Sequence, residues 1–300
     1  MSILVVGSVA LDSIETPFGH TEKTLGGSAT YFSLSARFFA PVNLVAVVGE
    51  DFPKKYTEML VKRNVDIKGL ETAAGETFSW KGRYGYDLNN AETVETRLNV
   101  FENFSPKIPT EYKRSDIVFL ANIDPDLQSY VLNQVKRPRL IACDTMNFWI
   151  ENKRKTLIDL LGKIDIFLLN EAEARQLVGE NNLLKAGKEI LKLGPKKVVI
   201  KKGEHGVLLF SRVSVFSAPA YLLESVYDPT GAGDSFAGGL IGYIRKSGRF
   251  TSDSEIRKGI VYGTVMASHA VEDFSVKKLS SISYSDVQRR YHEYRRLTRF

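Results

Sequence analysis

The amino-acid sequence predicts an α/β fold, a doubly wound and mostly parallel sheet with helices on both faces and a small extra β-sheet. Short apolar runs rich in β-branched residues alternate with segments of helical period. Several of these runs are continuously apolar, as expected of strands that are buried on both faces. One stretch, residues 77–103, alternates with period two and contains no helical segment. It therefore predicts a pair of antiparallel strands outside the main sheet.

The core strands are predicted from the apolar runs, and the helices from the patterns between them. The predicted strands are 3–7, 42–49, 117–121, 140–144, 166–170, 198–201 and 207–210. The predicted helices are 28–39, 54–63, 126–135, 171–178 and 183–193, and the C-terminal part 253–300 is also helical in pattern. Strands that alternate with helices in this way indicate a parallel sheet covered by helices.

Residues 12–24 also lack helical period. Together with 77–103 they are predicted to form a β-lid above the carboxyl edge of the main sheet, where open α/β sheets bind ligands. The alternative is a solvent-exposed hairpin. The sequence contains no internal repeat, so residues 1–300 are predicted to form one domain.

The composition is that of a globular protein, with 43% hydrophobic and 25% charged residues. The formal charge of +6 fits a phosphate-bearing ligand as well as it fits a nucleic acid. Residues 289–299 carry five arginines, a pattern more typical of a solvated helix face than of a nucleic-acid contact. We therefore expect no nucleic-acid partner.

The sequence also predicts a cytoplasmic protein without a membrane partner. The single cysteine, Cys143, excludes an intramolecular disulfide and a multi-cysteine metal site, and it favours a reducing compartment. No apolar run approaches the ~20 residues of a membrane span, and no cleavable leader is evident. Residues 7–12, which follow the first strand, lack the G-x-G-x-x-G turn of dinucleotide enzymes, and a Walker-type P-loop is absent.

The run DPTGAGDSFAGG, residues 228–239, joins a small-residue turn to a carboxylate and a helix start. Gly231, Ala232 and Gly233 allow consecutive N–H groups to point at one anion, and the helix adds its positive N-terminal end. A carboxylate at an anion site is electrostatically unfavourable, which usually indicates function. We predict that Asp234 is a general base for an attacking alcohol, while the turn stabilises phosphoryl charge. The alternative is an N-cap role for Asp234.

This motif resembles the signature of the PfkB/ribokinase family of carbohydrate kinases. A second family signature, Gly26-Gly27-Ser28-Ala29-Thr30, precedes a predicted helix, and the resemblance covers essentially the whole chain. It implies a ribokinase-like fold with a β-lid. It also implies an ATP-dependent, magnesium-assisted transfer of a phosphoryl group to an alcohol.

The resemblance implies a set of substrate-binding residues at Asp12, Gly26, Gly27, Tyr31 and Asn122. A turn-capping aspartate is the alternative for Asp12, and a plain loop is the alternative for the glycine pair. Ribokinase-like members carry an asparagine where this chain has Tyr31. This departure argues against ribose itself as the substrate and offers an aromatic surface that could stack on a ring.

The resemblance also implies nucleotide and magnesium sites. Asn170 would lie near the ATP phosphates, and Glu173 would order magnesium through its waters. The alternative is a helix N-cap at Asn170 and a solvated first-turn acid at Glu173. Lys202, Gly203 and Gly206 form a turn that runs along the nucleotide in relatives, with a plain hairpin loop as the alternative.

Three further positions complete the implied site. Thr230 and Thr264 are assigned to the nucleotide, although relatives carry an adenine-side asparagine at the position of Thr264. Asp228 matches a position that holds a monovalent cation in ribokinase-like members, so potassium is a candidate cofactor. The segment 270–275 differs from the cation-binding turn of those members.

The sequence leaves the acceptor open. A sugar or sugar-like polyol is the preferred acceptor, and a nucleoside is the alternative. We call the small-residue turn 228–233 the anion turn. A non-catalytic sensor on a kinase scaffold would be expected to lose the base or the anion turn, and this chain retains both. An exposed lid edge makes a homodimer through the lid a candidate assembly.

Overall fold

The computed structural model describes residues 2–299. The strands are β1 (Ile3–Val6), β2 (Ala10–Thr16), β3 (Gly19–Gly26), β4 (Val42–Gly49), β5 (Val65–Ala73), β6 (Ser79–Tyr84), β7 (Ala91–Arg97), β8 (Ile117–Leu120), β9 (Leu140–Cys143), β10 (Ile166–Asn170), β11 (Lys197–Lys201), β12 (Val207–Ser211) and β13 (Val215–Ala218). The α-helices are α1 (Ser28–Ala36), α2 (Lys54–Lys62), α3 (Pro125–Leu132), α4 (Asn147–Asn152), α5 (Arg154–Leu161), α6 (Glu171–Val178), α7 (Leu183–Lys192), α8 (Ala232–Ser247), α9 (Asp253–Ala270), α10 (Lys277–Ser281) and α11 (Tyr284–Leu297).

The main sheet has nine strands in the order β13-β12-β11-β10-β9-β8-β1-β4-β5. Every neighbouring pair from β11 to β5 is parallel, and β12 and β13 add an antiparallel hairpin at one edge. Parallel neighbours require crossover connections, which the helices supply. The predicted α/β class with a mostly parallel sheet is confirmed.

The main sheet separates two hydrophobic cores. Ile3 and Val5 of β1 point into the core that also contains residues of α1, α8 and α9, whereas Leu4 and Val6 point into the core on the other face. Because both faces are buried, the central strands are continuously apolar instead of alternating. Within residues 2–299, no helix is both long enough and apolar enough to cross a membrane.

A second, four-stranded sheet has the order β3-β2-β6-β7. Strands β2 and β6 are parallel, and the two outer pairs are antiparallel. These strands occupy most of segment 12–24 and about half of segment 77–103, in which Asn99–Asn103 forms a 3-10 helix. We call this second sheet the lid sheet. All residues of its edge strand β7 are exposed.

Candidate active site

The carboxyl ends of neighbouring parallel strands bring polar side chains to one edge of the main sheet. Asn122 follows β8, Asp144 follows β9, Asn170 ends β10 and Lys201 ends β11. Ligands of open α/β sheets bind at this edge. The start of α8 reaches the same place, because a Cβ on Gly233 would lie 3.0 Å from Lys201 Nζ.

The turn before α8 is fixed by Asp228 and by a left-handed glycine. Asp228 is buried, and its two carboxylate oxygens accept the N–H groups of Thr230 (2.9 Å) and Ser275 (3.0 Å). Gly231 has φ +73°, and a Cβ there would lie 2.3 Å from the Tyr31 ring. Glycine is therefore required by both backbone conformation and close packing. Helix α8 begins at Ala232 and carries Asp234 in its first turn.

Asp234 is half-buried at the start of α8. Burial is the main cause that raises its pKa to about 7, and the Asp144 charge raises it further, while Lys201 and the backbone N–H of Asp234 oppose the shift. A carboxylate with this pKa holds a proton far more strongly than an ordinary aspartate at neutral pH. Such a group is suited to accepting a proton from an alcohol.

Asp12 lies on β2 in the lid sheet and is only 4% exposed. Its Oδ1 has no hydrogen-bond partner among residues 2–299, and a Cβ on Gly26 would lie 1.9 Å from its Oδ2. Burial raises the pKa of Asp12 to about 7, with smaller contributions in the same direction from Asp228 and Asp234. Gly27 has φ +94° and packs against the Ser8 carbonyl. Gly26 therefore leaves the Asp12 carboxylate room that a side chain would fill, and Gly27 allows the close approach of the Ser8 backbone.

Two tyrosines border the same space. Tyr31 is 1% exposed, its ring packs against Gly231, and its hydroxyl has no hydrogen-bond partner in the described chain. Its ring is therefore buried behind the anion turn. Tyr84, the last residue of β6, accepts a hydrogen bond of 3.1 Å from the Thr230 hydroxyl. Burial raises the pKa of Tyr84 to about 12.

Asn170 and Glu173 form a reciprocal cap at the start of α6. Asn170 Oδ1 accepts the Glu173 N–H (2.8 Å), and Glu173 Oε2 accepts the Asn170 N–H (2.7 Å). Glu173 is 8% exposed, and burial raises its pKa to about 7, while the Lys201 charge lowers it. The N-cap interpretation of Asn170 is thus correct as structure, but Glu173 is not a solvated acid.

The donor set suits a magnesium ion that keeps most of its waters. The described residues contain no group of three or more His, Cys, Asp or Glu side chains that could hold a metal. Magnesium needs only one or two protein carboxylates when phosphates and water complete its shell. Glu173 Oε1 is free of the cap and fits this requirement. Potassium at Asp228 stays a prediction. Both carboxylate oxygens of Asp228 already accept backbone N–H groups.

The remaining predicted nucleotide-binding positions lie in a turn after β11 and in helix α9. Lys202, Gly203 and Gly206 form a turn with glycine φ values of +53° and +84°, and Asn89, in the connection between β6 and β7, lies against Gly203. The Thr264 hydroxyl donates to the Ile260 carbonyl within α9 (3.1 Å).

Asn122 is held by two side chains of the segment that follows β9. Its Oδ1 accepts the Trp149 indole N–H (2.9 Å), and its amide nitrogen lies 3.2 Å from the Met146 sulfur. Asn122 therefore reaches the carboxyl edge of the sheet already oriented by Trp149 and Met146.

Two charged residues at the site are not among those the motifs indicate. Lys201 donates a hydrogen bond of 2.8 Å to Asp144, and both side chains are largely buried. The available sequence signal is positional, since each stands at the end of an apolar run that predicts a buried parallel strand.

Residues 2–277 match the sequence profile of the pfkB family carbohydrate kinases. A cytidine kinase of Thermococcus kodakarensis is 32% identical, and the alignment covers 82% of this chain and 89% of that protein. A nucleoside kinase of Thermoplasma acidophilum is 34% identical, with 96% and 93% covered. An inositol 3-kinase of Arabidopsis thaliana is 25% identical, with 96% and 80% covered.

Solved structures share the fold over nearly the full chain. The nucleoside kinase of Methanocaldococcus jannaschii, an archaeal member of the ribokinase family, superposes with a TM-score of 0.77 at 19% identity, covering 98% of this chain and 99% of that one. A putative ribokinase II of E. coli in complex with ATP and Mg²⁺ superposes with a TM-score of 0.79 at 18% identity, covering 97% and 99%. These similarities confirm the ribokinase-like fold.

Proposed function

The chain belongs to the pfkB family of carbohydrate kinases, and from this membership we propose that it transfers a phosphoryl group from ATP to a hydroxyl of a nucleoside. The observation that carries the chemistry is Asp234, a half-buried carboxylate with a pKa raised to about 7 at the start of α8. The general-base assignment follows from this setting, because a base is most effective when its pKa is close to the working pH.

In the proposed reaction Asp234 accepts the proton of the attacking hydroxyl. The substrate oxygen forms a bond to the terminal phosphorus of ATP, the bond from that phosphorus to the bridging oxygen breaks, and ADP leaves. The backbone N–H groups of Gly231 and Gly233 and the N-terminus of α8 would stabilise the charge on the transferred group, whereas the Ala232 N–H already donates to the Pro229 carbonyl (3.1 Å). Catalysis of phosphoryl transfer depends mainly on such positioning and charge stabilisation.

Magnesium and ATP belong to this proposal, and the structural neighbour that contains both supports them. Glu173 would hold the ion through water, with Asn170 fixing the carboxylate by the reciprocal cap. Bound magnesium supplies charge neutralisation on the phosphates. The turn at Lys202–Gly206 would lie along the nucleotide.

The lid sheet would hold the acceptor. Asp12 presents a carboxylate oxygen without a hydrogen-bond partner in the described residues. A substrate hydroxyl would donate a hydrogen bond to this oxygen. Gly26, where a Cβ would lie 1.9 Å from Asp12 Oδ2, would leave room for close approach of that hydroxyl. Closure of a lid over the site would exclude water from the transfer.

A nucleoside is the acceptor that the similar proteins favour. Two relatives above 30% identity are a cytidine kinase and a nucleoside kinase. A sugar or polyol, which the sequence favours as acceptor, is the second candidate. The inositol 3-kinase at 25% identity supports it.

A substrate panel tests this proposal. ADP release with ATP and Mg²⁺ would be measured for cytidine, other nucleosides, ribose, fructose 6-phosphate and myo-inositol. We expect the highest kcat/KM with a nucleoside. A free sugar or polyol that exceeds every nucleoside by tenfold would overturn the acceptor assignment, and ADP release with none of them would overturn the kinase assignment.

The cytoplasmic location is part of the same proposal. Cys143 is buried and unpaired, as expected of a protein that works in a reducing compartment. Fractionation of the source cells, followed by immunodetection, would show the protein with cytosolic markers if this is correct.

A further inference from the structure

Lys201 is a buried cation that the reaction described above does not use. It ends β11 in register with Asn170, and its side chain is 18% exposed. Its ammonium group donates a hydrogen bond of 2.8 Å to Asp144 Oδ2. An ammonium has three N–H donors, so this bond leaves two of them for another acceptor.

The same ammonium group borders the anion turn. A Cβ on Gly233 would lie 3.0 Å from Lys201 Nζ, so the amine rests directly against the backbone of that turn. An anion bound by the turn would therefore lie next to a positive charge. Glycine at this position allows the approach, because any side chain would press on the amine.

Carboxylates surround Lys201 and keep it charged. Burial alone would lower the pKa of Lys201, but the neighbouring Asp144 and Glu173 raise it above its ordinary value. Asp144 is itself fixed, because its Oδ1 accepts the Thr145 N–H (2.9 Å). The ammonium group is thus held in one place between Asp144 and the turn.

We infer that Lys201 contacts the terminal phosphoryl group of ATP and that Asp144 positions it for this contact. The inference deepens the proposed function and rests on it. The terminal group is favoured over the inner phosphates because the amine borders Gly233, the residue before Asp234, and Asp234 is the base that must contact the hydroxyl attacking that group. A lysine contributes a compact charge with flexible donors, which suits a group that moves from ATP to the acceptor.

A purely structural ion pair is the competing explanation. Removing one partner of a buried pair destabilises a protein whether or not a ligand is present. Loss of stability therefore does not distinguish the two explanations. A contact to the terminal phosphoryl group predicts a difference between nucleotides that have this group and nucleotides that lack it.

The test is a pair of calorimetric titrations with Mg²⁺, one with a non-hydrolysable ATP analogue and one with ADP. For Lys201→Gln we expect the affinity for the ATP analogue to fall on the order of 10-fold to 100-fold, the scale of one charge-assisted hydrogen bond. The affinity for ADP should change less than about threefold, which is within the scatter of a lost surface contact. Lys201→Arg should restore part of the difference.

Lys197→Gln is the matched control. Lys197 begins the same strand, is largely buried and pairs with Asp253, but it lies at the opposite end of β11 from the site. It should leave both affinities unchanged. If Lys201→Gln does not fold, the double variant Lys201→Gln/Asp144→Asn removes both partners of the hydrogen-bonded pair and is titrated in the same way.

An equal loss for both nucleotides, or no loss for the ATP analogue, would overturn the assignment of Lys201 while leaving the kinase proposal intact. Wild-type protein that binds neither nucleotide would instead overturn the proposed function, and the Lys201 assignment with it.

Discussion

The hydroxyl of Thr230 donates a hydrogen bond of 3.1 Å to the hydroxyl of Tyr84, which joins the anion turn to the lid sheet. Tyr84 ends β6, whereas Thr230 lies just before α8. The backbone N–H of Thr230 donates to Asp228 instead, so the Thr230 side chain alone makes the bond to Tyr84. The position of the lid sheet is therefore coupled to the turn that would receive the phosphoryl group.

Tyr84→Phe should weaken this coupling without emptying the space that the ring fills. A neutral hydrogen bond contributes about 1 kcal/mol, so we expect the free energy of unfolding to fall by no more than about that amount and the acceptor KM to rise roughly fivefold. Steady-state kinetics at saturating ATP measures the effect. Tyr86→Phe is the control, because Tyr86 is 91% exposed and should leave KM unchanged. Equal KM values for both variants would show that the bond does not couple lid and turn.

Gly231→Ala should destabilise the fold because the new methyl group meets the Tyr31 ring at 2.3 Å and the backbone has φ +73°. We expect a loss of roughly 2–4 kcal/mol in the free energy of unfolding, measured in urea. Gly248→Ala separates the two causes, since Gly248 has φ +68° with nothing within 4 Å. It should cost about 1 kcal/mol. Similar losses in both variants would contradict the packing explanation.

Asp12→Asn should stabilise the protein at pH 8 and have little effect near pH 4. The folded pKa of Asp12 is raised to about 7, above its unfolded value, so the folded protein binds the proton more strongly. Its contribution to stability is complete at low pH and is lost as pH rises through 7. The amide avoids this loss, so we expect a gain on the order of 1–4 kcal/mol at pH 8. Urea unfolding at both pH values measures it, and a pH-independent difference would contradict the buried-carboxylate account.

Much of the fold could be predicted from sequence where burial is uniform. The apolar runs at 42–49 and 166–170 coincide with β4 and β10, since strands buried on both faces give continuous apolar patterns. Strand β5 has no such signal, because it lies at the sheet edge and only Val65 is buried. Helices α4 and α5 are short and are separated at Lys153, so neither gives a long periodic segment.

Some residues of the site could also be predicted from sequence, and others could not. A contiguous motif identifies Asp234 and its glycine turn, because the residues that shape the turn are adjacent in sequence. Lys201 and Asp144 are 57 residues apart, and only the order of the strands brings them together. The aromatic ring of Tyr31 could be identified as part of the site, but its burial against Gly231 depends on the packing of α1 on α8.

The central claim is that Asp234 takes the proton of the acceptor hydroxyl, and Asp234→Asn tests it most directly. The amide has nearly the same shape but does not accept a proton. We therefore expect kcat to fall by at least ~10²-fold, with the affinity for the ATP analogue in calorimetry within a few-fold of wild type. Turnover close to the wild-type rate in this variant would contradict the account.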